Sequence, residues 1–327
     1  MTDFWTYANA GVDRKQEDDS VGRITAMLSS TFENQPDKVM ASMGHYANLV
    51  DVGHGQAVVM CTDGVGSKML VAEALGKFDT VGIDMVAMNV NDLICLGATP
   101  IAMVDYLAVE KHEPAVIEQL MRGICDGANQ AGVAVIGGET ATLPDMLKGY
   151  DLAGTALGII DKDKVITGEH IKEGDVLIGL KSSGVHSNGL TLARKVLDMN
   201  DTAILAELLT PTKIYVKQIL HLLNHVPVKG LAHMTGGGLM NLKRLNKEIG
   251  FDVKNWPNPH LIFEKIQRGG NIPEDEMYKT FNMGIGFCVV VSESNVEPTL
   301  RLLEKDQPMI LGKAVNGNHV KFKGTVY

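Results

Sequence analysis

The stretch AVVMCTDGVGSK, residues 57–68, decides how the first half of the chain is read. Residues 57–62 are a short apolar run rich in β-branched side chains, which predicts a buried strand. It runs straight into Asp63-Gly64-Val65-Gly66-Ser67-Lys68. This is neither a GxxxxGK[ST] loop nor a GxGxxG loop. Its chemistry is comparable all the same. Gly64 and Gly66 let backbone N–H groups approach phosphate oxygens, Ser67 and Lys68 add a hydroxyl and a positive charge, and Asp63 offers oxygen to a hard cation. The other reading is a plain Asp-Gly turn.

Outward from this stretch the periodicity is regular. Residues 80–97, TVGIDMVAMNVNDLICLG, predict a buried helix stopped at Gly97. A strand is expected at 99–110, a helix at 114–131 with proline early and Gly132 as its stop, a strand at 133–136 followed by GGET, and a strand at 152–161. Before residue 57 the chain is polar and broken, with one helix expected near 21–32 and little strand signal. The order β-α-β-α-β-β is that of a split βαβ unit in a ferredoxin-like sheet. Residues 162–175 are charged and turn-rich, which sets two domains, 1–165 and 166–327. The second is also α/β. It carries strands at 176–180, 228–234, 284–291 and 308–315, and helices at 190–199, 211–224, 239–246 and 275–281. The fold class is therefore mixed α+β and α/β.

Composition narrows the function. The 327 residues carry a net charge of −9, which argues against a nucleic-acid partner. With 45% hydrophobic and 21% charged residues the chain is an ordinary globular one. Cys61, Cys95, Cys125 and Cys288 stand apart with no zinc-type spacing, so a reducing cytoplasm is expected. The first twenty residues lack the basic and apolar regions of a signal peptide, and no apolar run is long enough for a membrane span.

The chemistry concentrates at a few places. On the predicted helix 80–97, Asp84, Asn91 and Asp92 share one arc at 100° per residue. Carboxylates on so apolar a helix point to a magnesium and phosphate site, or else to a face that reaches solvent or a subunit contact. Gly137-Gly138-Glu139-Thr140 follows a strand: the glycines free the backbone for phosphate and Glu139 becomes a third cation ligand beside Asp63 and Asp92, with a tight turn as the other reading. His186, in Ser182-Ser183-Gly184-Val185-His186-Ser187-Asn188-Gly189, could exchange protons near neutral pH. That loop reads equally as helix capping, and no acidic partner supports a Ser-His-Asp triad. Thr235-Gly236-Gly237-Gly238 is an anion nest or a flexible loop. His221 and His225 have metal-ligand spacing but read as exposed helix residues.

Taken in order, these motifs resemble the phosphoribosylformylglycinamidine cyclo-ligase (aminoimidazole ribonucleotide synthetase) family nearly end to end. The similarity runs from YANAGVD at 7–13 through TDGVGSK at 62–68, GIDMVAMNVNDL at 82–93, GGETATLPDM at 137–146 and YDLAGTALGII at 150–160. It continues through SSGVHSNGL at 182–190, LTPTKIYVK at 209–217, HMTGGGL at 233–239 and DEMYKTFNMGIG at 275–286. The sequence departs from the family pattern at 42–47, where SMGHYA replaces a glycine-rich segment, at Ser67, at Val185 and at 107–111. The resemblance implies a homodimer whose first domains pair their sheets into a barrel. ATP with Mg²⁺, and K⁺ as an optional addition, would bind in a groove near that interface. It also implies the fifth step of purine synthesis: formylglycinamidine ribonucleotide and ATP give aminoimidazole ribonucleotide, ADP and phosphate. By the same resemblance Asp63 and Asp92 bind the metal triphosphate, Lys68 neutralises phosphate, and Asp84, Asn91, Gly137, Gly138 and Glu139 support that site. His186, Ser187 and Asn188 face the reacting substrate, with His186 as the acid/base candidate, and Thr235, Gly236, Gly237 and Gly238 hold the substrate phosphate. The alternatives are another ATP-dependent enzyme of the same fold group, or a non-catalytic nucleotide-binding regulator.

Overall fold

A computed structural model describes residues 4–40 and 45–327, with Lys15 as backbone. Residues 42–44 of the departing SMGHYA segment lie outside the described residues. The chain opens with helix α1 (Arg14–Leu28), continued by a 3-10 turn at Ser29–Asn34, so the first helix begins well before the expected position. A six-stranded sheet follows, made of β1 (Val39–Met40), β2 (Asn48–Gly53), β3 (Gln56–Gly64), β4 (Thr99–Val109), β5 (Ala134–Thr142) and β6 (Tyr150–Asp161). Its order is β1-β2-β3-β6-β4-β5. β6 runs antiparallel between β3 and β4, which therefore run parallel to each other, and β4 pairs parallel with β5. This is the split βαβ arrangement, extended by one hairpin. That hairpin was not expected, because β2 shows a single fully buried side chain, Leu49, among exposed neighbours.

Helices α2 (Met69–Leu75), α3 (Val81–Ile94) and α4 (Pro114–Ala131) complete this half. α3 is apolar nearly all round and almost wholly buried, as its composition demands. At its first turn it meets α4 backbone to backbone. A Cβ built on Gly82 would lie 2.3 Å from the Ile124 nitrogen, and one on Gly123 would lie 2.3 Å from the Asp79 carbonyl oxygen.

Segment 165–175 leads into the second sheet and packs against both halves: Ile166 N–H donates to the Leu96 carbonyl, and Ile166 also touches Gly97. The second half contains β7 (Val176–Lys181), α5 (Leu190–Val196), α6 (Thr202–Leu208), α7 (Val216–Leu223), β8 (Gly230–His233) and β9 (Ile249–Val253). It continues with α8 (Leu261–Gly269), α9 (Glu274–Thr280), β10 (Ile285–Val291), α10 (Val296–Leu302), β11 (Met309–Asn316), β12 (Val320–Phe322) and β13 (Thr325–Val326). The strand order is β13-β12-β9-β11-β7-β10-β8. β7 and β10 are buried along almost their whole length, as their unbroken apolar runs require. Two expectations change here. Residues 211–215 are a loop, because their backbone is engaged by the first domain. The helix expected at 239–246 is a 3-10 turn, Gly238–Arg244. Among the described residues, no helix is long and apolar enough to cross a membrane.

The α3–α4 contact leaves no room for a methyl group. Gly82→Ala should destabilise the chain by about 1–3 kcal/mol, read as a lower urea midpoint with unchanged slope; an unchanged midpoint would show that the helices can separate freely.

Candidate active site

The C-terminal end of β3 and the last turn of α3 meet at the seam between the halves. Asn89, buried on α3, donates from Nδ2 to the Asp63 carbonyl oxygen at 3.1 Å and so fixes the strand end to the helix. The Asp63 carboxylate accepts the Gly64 N–H at 2.7 Å. Asp92 Oδ1 meets His233 Nδ1 at 2.8 Å, and His233 Nε2 faces the Asn91 Nδ2 at 3.4 Å. Since the Asn91 amide nitrogen can only donate, the ring proton is assigned to Nδ1, which donates to Asp92. His233 at the end of β8 is thus the orienting residue that sequence reasoning missed. Its signal was present in the HMTGGG run, but an invisible partner 141 positions away gave it meaning.

Asp63 and Asp92 lie close enough to repel one another. Burial first, and the Asp92 charge second, push the Asp63 carboxyl up to about 6. Two half-buried carboxylates whose like charges repel, and whose oxygens are hard donors, fit a divalent cation that takes its remaining ligands from phosphates. Glu139 does not join them. Among the described residues no group of three or more acidic, histidine or cysteine side chains converges on one point. The reason lies in the sheet. Glu139 pairs with Tyr106, which pairs with Ala153, opposite Gly64; Asp63 pairs with Gly154, one row along. Adjacent rows face opposite sides, so Glu139 points away from α3. It is also three strands from Asp63, about 14 Å. The GGET segment is no loop either: Gly137, Gly138, Glu139 and Thr140 all lie within β5, paired to β4. Gly138 is needed because a Cβ there would lie 2.6 Å from the Asp105 carbonyl oxygen.

Lys68 and Asp84 depart further from the expected phosphate role, enclosed at the seam. Both are fully buried, and the Lys68 ammonium sits 2.8 Å from Asp84 Oδ1 and 2.7 Å from the Thr210 carbonyl oxygen. The same Asp84 oxygen accepts from the Thr212 N–H at 2.7 Å, the Thr212 hydroxyl at 2.5 Å and the Ser187 hydroxyl at 3.1 Å. Burial holds the lysine below its ordinary range, opposed by Asp84. Lys68 is therefore a tie between the halves and not a phosphate contact. Asn91 works alongside, donating to the Lys213 carbonyl and accepting the Tyr215 N–H, each at 2.9 Å. Ser67 adds a hydroxyl contact to Thr191 at 3.0 Å. Of the arc Asp84, Asn91 and Asp92, the first two grip the 210–215 loop and only Asp92 turns toward His233 and Asp63.

His186 is buried, with a left-handed backbone at φ +64°. Its Nε2 accepts the Ser183 N–H at 3.2 Å and lies 3.5 Å from the Lys213 nitrogen, so the ring proton is on Nδ1. Burial first, then the charges of His233 and Lys68, hold this imidazole well below its ordinary range. A neutral, enclosed ring is poorly suited to exchange protons near neutral pH, and its work is to shape the loop. Asn188 reaches outward instead, with Nδ2 on the Met88 sulfur at 4.0 Å and Oδ1 beside Gly236. Gly66, at φ +63° with open space around it, and Gly64 leave backbone bare next to Asp63.

Two family models cover the chain: AIR synthase related protein, N-terminal domain, at residues 44–160, and AIR synthase related protein, C-terminal domain, at 172–325. The phosphoribosylformylglycinamidine cyclo-ligase of Methanocaldococcus jannaschii is 50% identical over 98% of this chain and 97% of its own. That of Pyrococcus furiosus is 51% identical over 92% of each. The chain belongs to the AIR synthase related family. Among solved structures, AaThiL complexed with AMPPCP and TMP superposes with a TM-score of 0.69 at 13% identity, over 92% of this chain and 93% of that one, which shows a shared fold. In AIR synthase related terms, the two matched domains meet at the seam where Asp63, Asp92 and His233 gather.

Two outcomes test this geometry. Lys68→Met leaves Asp84 buried without its cation and should cost about 3–5 kcal/mol in urea unfolding; a loss near zero would show the pair is not confined. Asp63 holds its proton to a higher pH when folded than the usual carboxylate value of about 3.9 when unfolded. The folded state thus binds more protons in between, and stability falls as pH rises from about 4 to about 6. In chelator, calorimetry should show that fall flattened in Asp63→Asn; an unaltered profile would remove Asp63 as its source.

Proposed function

We propose that this chain closes the imidazole ring of aminoimidazole ribonucleotide from formylglycinamidine ribonucleotide, using ATP and releasing ADP and phosphate. The observation that carries this reading is the convergence of Asp63 and Asp92 beside a bare glycine backbone, in a chain that matches cyclo-ligases nearly end to end. An amide oxygen is a poor leaving group, so the formyl oxygen attacks the γ-phosphorus of ATP and ADP departs. The amidine nitrogen then attacks the activated formyl carbon, the ring closes with loss of a proton, and phosphate leaves with the former formyl oxygen. Asp63 and Asp92 would hold Mg²⁺, which supplies charge neutralisation for the triphosphate when bound. The residues of the chain do the positioning. His233 orients Asp92, Asn89 fixes the strand end that carries Asp63, and the Gly64–Gly66 backbone offers N–H groups to phosphate oxygens. Asn188 and the 235–238 loop face the substrate.

The assembly we propose is a homodimer. The face of the first sheet turned away from α3 leaves Val50, Met60, Val104 and Tyr106 more than a third exposed, and Ile136 on the edge strand β5 is 71% exposed. Open apolar patches of this kind mark association surfaces. The enzyme works in the cytoplasm, in keeping with its four free thiols.

Asp92→Asn keeps a hydrogen-bonding side chain but removes the charge. It should lower the rate of aminoimidazole formation by at least about 100-fold, with the dimer intact by light scattering. ADP and aminoimidazole should appear one for one in the unsubstituted enzyme. ADP released without cyclised product would overturn the reading, and full activity in Asp92→Asn would remove its proposed role.

A further inference from the structure

A cavity of about 430 Å³ lies between the N-terminal segment and the second half of the chain, lined by Tyr7, Arg14, Asp18, Gly237, Lys279 and Tyr327 among others. Its charged groups are mostly engaged. Glu276 accepts the Tyr7 N–H at 2.8 Å, and Lys279 is paired with Asp275 at 2.7 Å. Arg14 and Asp18 differ: among the described residues neither side chain makes a hydrogen bond or ion pair, and the charge of the Arg14 guanidinium acts on the nearby Tyr7. That guanidinium lies on the glycine loop. A Cβ on Gly237 would come within 2.8 Å of its Nη2, and one on Gly236 within 3.4 Å of its Nη1 and 2.8 Å of Asn188 Oδ1. Gly237 itself has φ +115°. Side chains are therefore excluded from the spot where bare backbone and an uncommitted planar cation face the same space.

We propose that Arg14 supplies the charged contact to the substrate's 5′-phosphate, beside the 235–238 loop that the family resemblance already assigns to that phosphate, a role that rests on the ring-closure reading above. A guanidinium fork suits a phosphate dianion, and glycine allows backbone to approach it. The carboxylate of Asp18, one turn beyond Arg14 and lining the same cavity, suits ribose hydroxyls. The position also fits the length of a ribonucleotide. His233, bonded to Asp92, precedes Gly237 by four residues, which span at most about 14 Å. One extended ligand can thus place its phosphate at Arg14 and its formyl group toward the carboxylate pair. The N-terminal segment thereby becomes part of the substrate site, although it lies outside both matched family domains.

Calorimetric titration tests the assignment with three probes: formylglycinamidine ribonucleotide, the corresponding nucleoside without phosphate, and ribose 5-phosphate. The unsubstituted enzyme should prefer the ribonucleotide over the nucleoside by about 100-fold or more. Arg14→Ala should shrink that preference by about 10-fold or more with nucleoside affinity nearly unchanged, and Arg14→Lys should fall between. Arg23→Ala, an exposed position on the same helix, should behave as the unsubstituted chain. The proposal fails if the preference survives in Arg14→Ala, or if both ligands weaken in parallel, as a purely structural residue would cause. Should Arg14→Ala not fold, an unchanged preference in Arg14→Lys is equally fatal. If turnover gives no aminoimidazole yet ribose 5-phosphate binding depends on Arg14, the phosphate receptor stands and the ring-closure reading falls.

Discussion

Everything at the seam depends on one enclosed ion pair. Lys68 and Asp84 both belong to the first half, yet they face three groups of the second: the Thr210 carbonyl, Thr212 and the Ser187 hydroxyl. A buried carboxylate is costly unless its charge and lone pairs are met. Here one oxygen accepts four hydrogen bonds, and they can all form only when the halves sit in a single relation. The pair is thus a device for specificity of arrangement more than for net stability. It fixes the loop after β3, the start of α3 and the 186–189 loop together, and with them the directions in which Asp63 and Asn188 point.

Much of the first half was legible in the sequence because its signals are local. The apolar run before Asp63, the all-round apolar helix and the proline-to-glycine span of α4 each announce their own element. The carboxylate pair was legible too, since two acids at the ends of buried elements need a reason to be there. What could not be read depended on partners far along the chain. Lys68 looked like a phosphate ligand because its neighbours are glycine and serine; only the fold shows it enclosed with Asp84. Glu139 looked like a third cation ligand until the rows of the sheet turned it to the opposite face. His186 sits next to residues that face the cleft, but its backbone folds the ring inward. His233 and Arg14 drew no attention, because each takes its meaning from a residue more than a hundred positions away.

The two histidines show how location divides labour between like side chains. His233 is bonded through both ring nitrogens and steadies a carboxylate. His186 receives backbone N–H groups on one side and is sealed on the other. Neither is arranged as an exposed proton carrier, which is consistent with a reaction whose difficulty lies in charge on phosphate rather than in proton transfer.

The glycines of α3 and α4 have a consequence for the site itself. Gly82 lies ten residues before Asp92, roughly 15 Å along the helix axis. Between them runs a rigid rod with no side-chain cushion at its far end. The reactive end of the molecule inherits its accuracy from a joint that admits no filler, so drift at that remote position would be felt as misalignment where the chemistry is done.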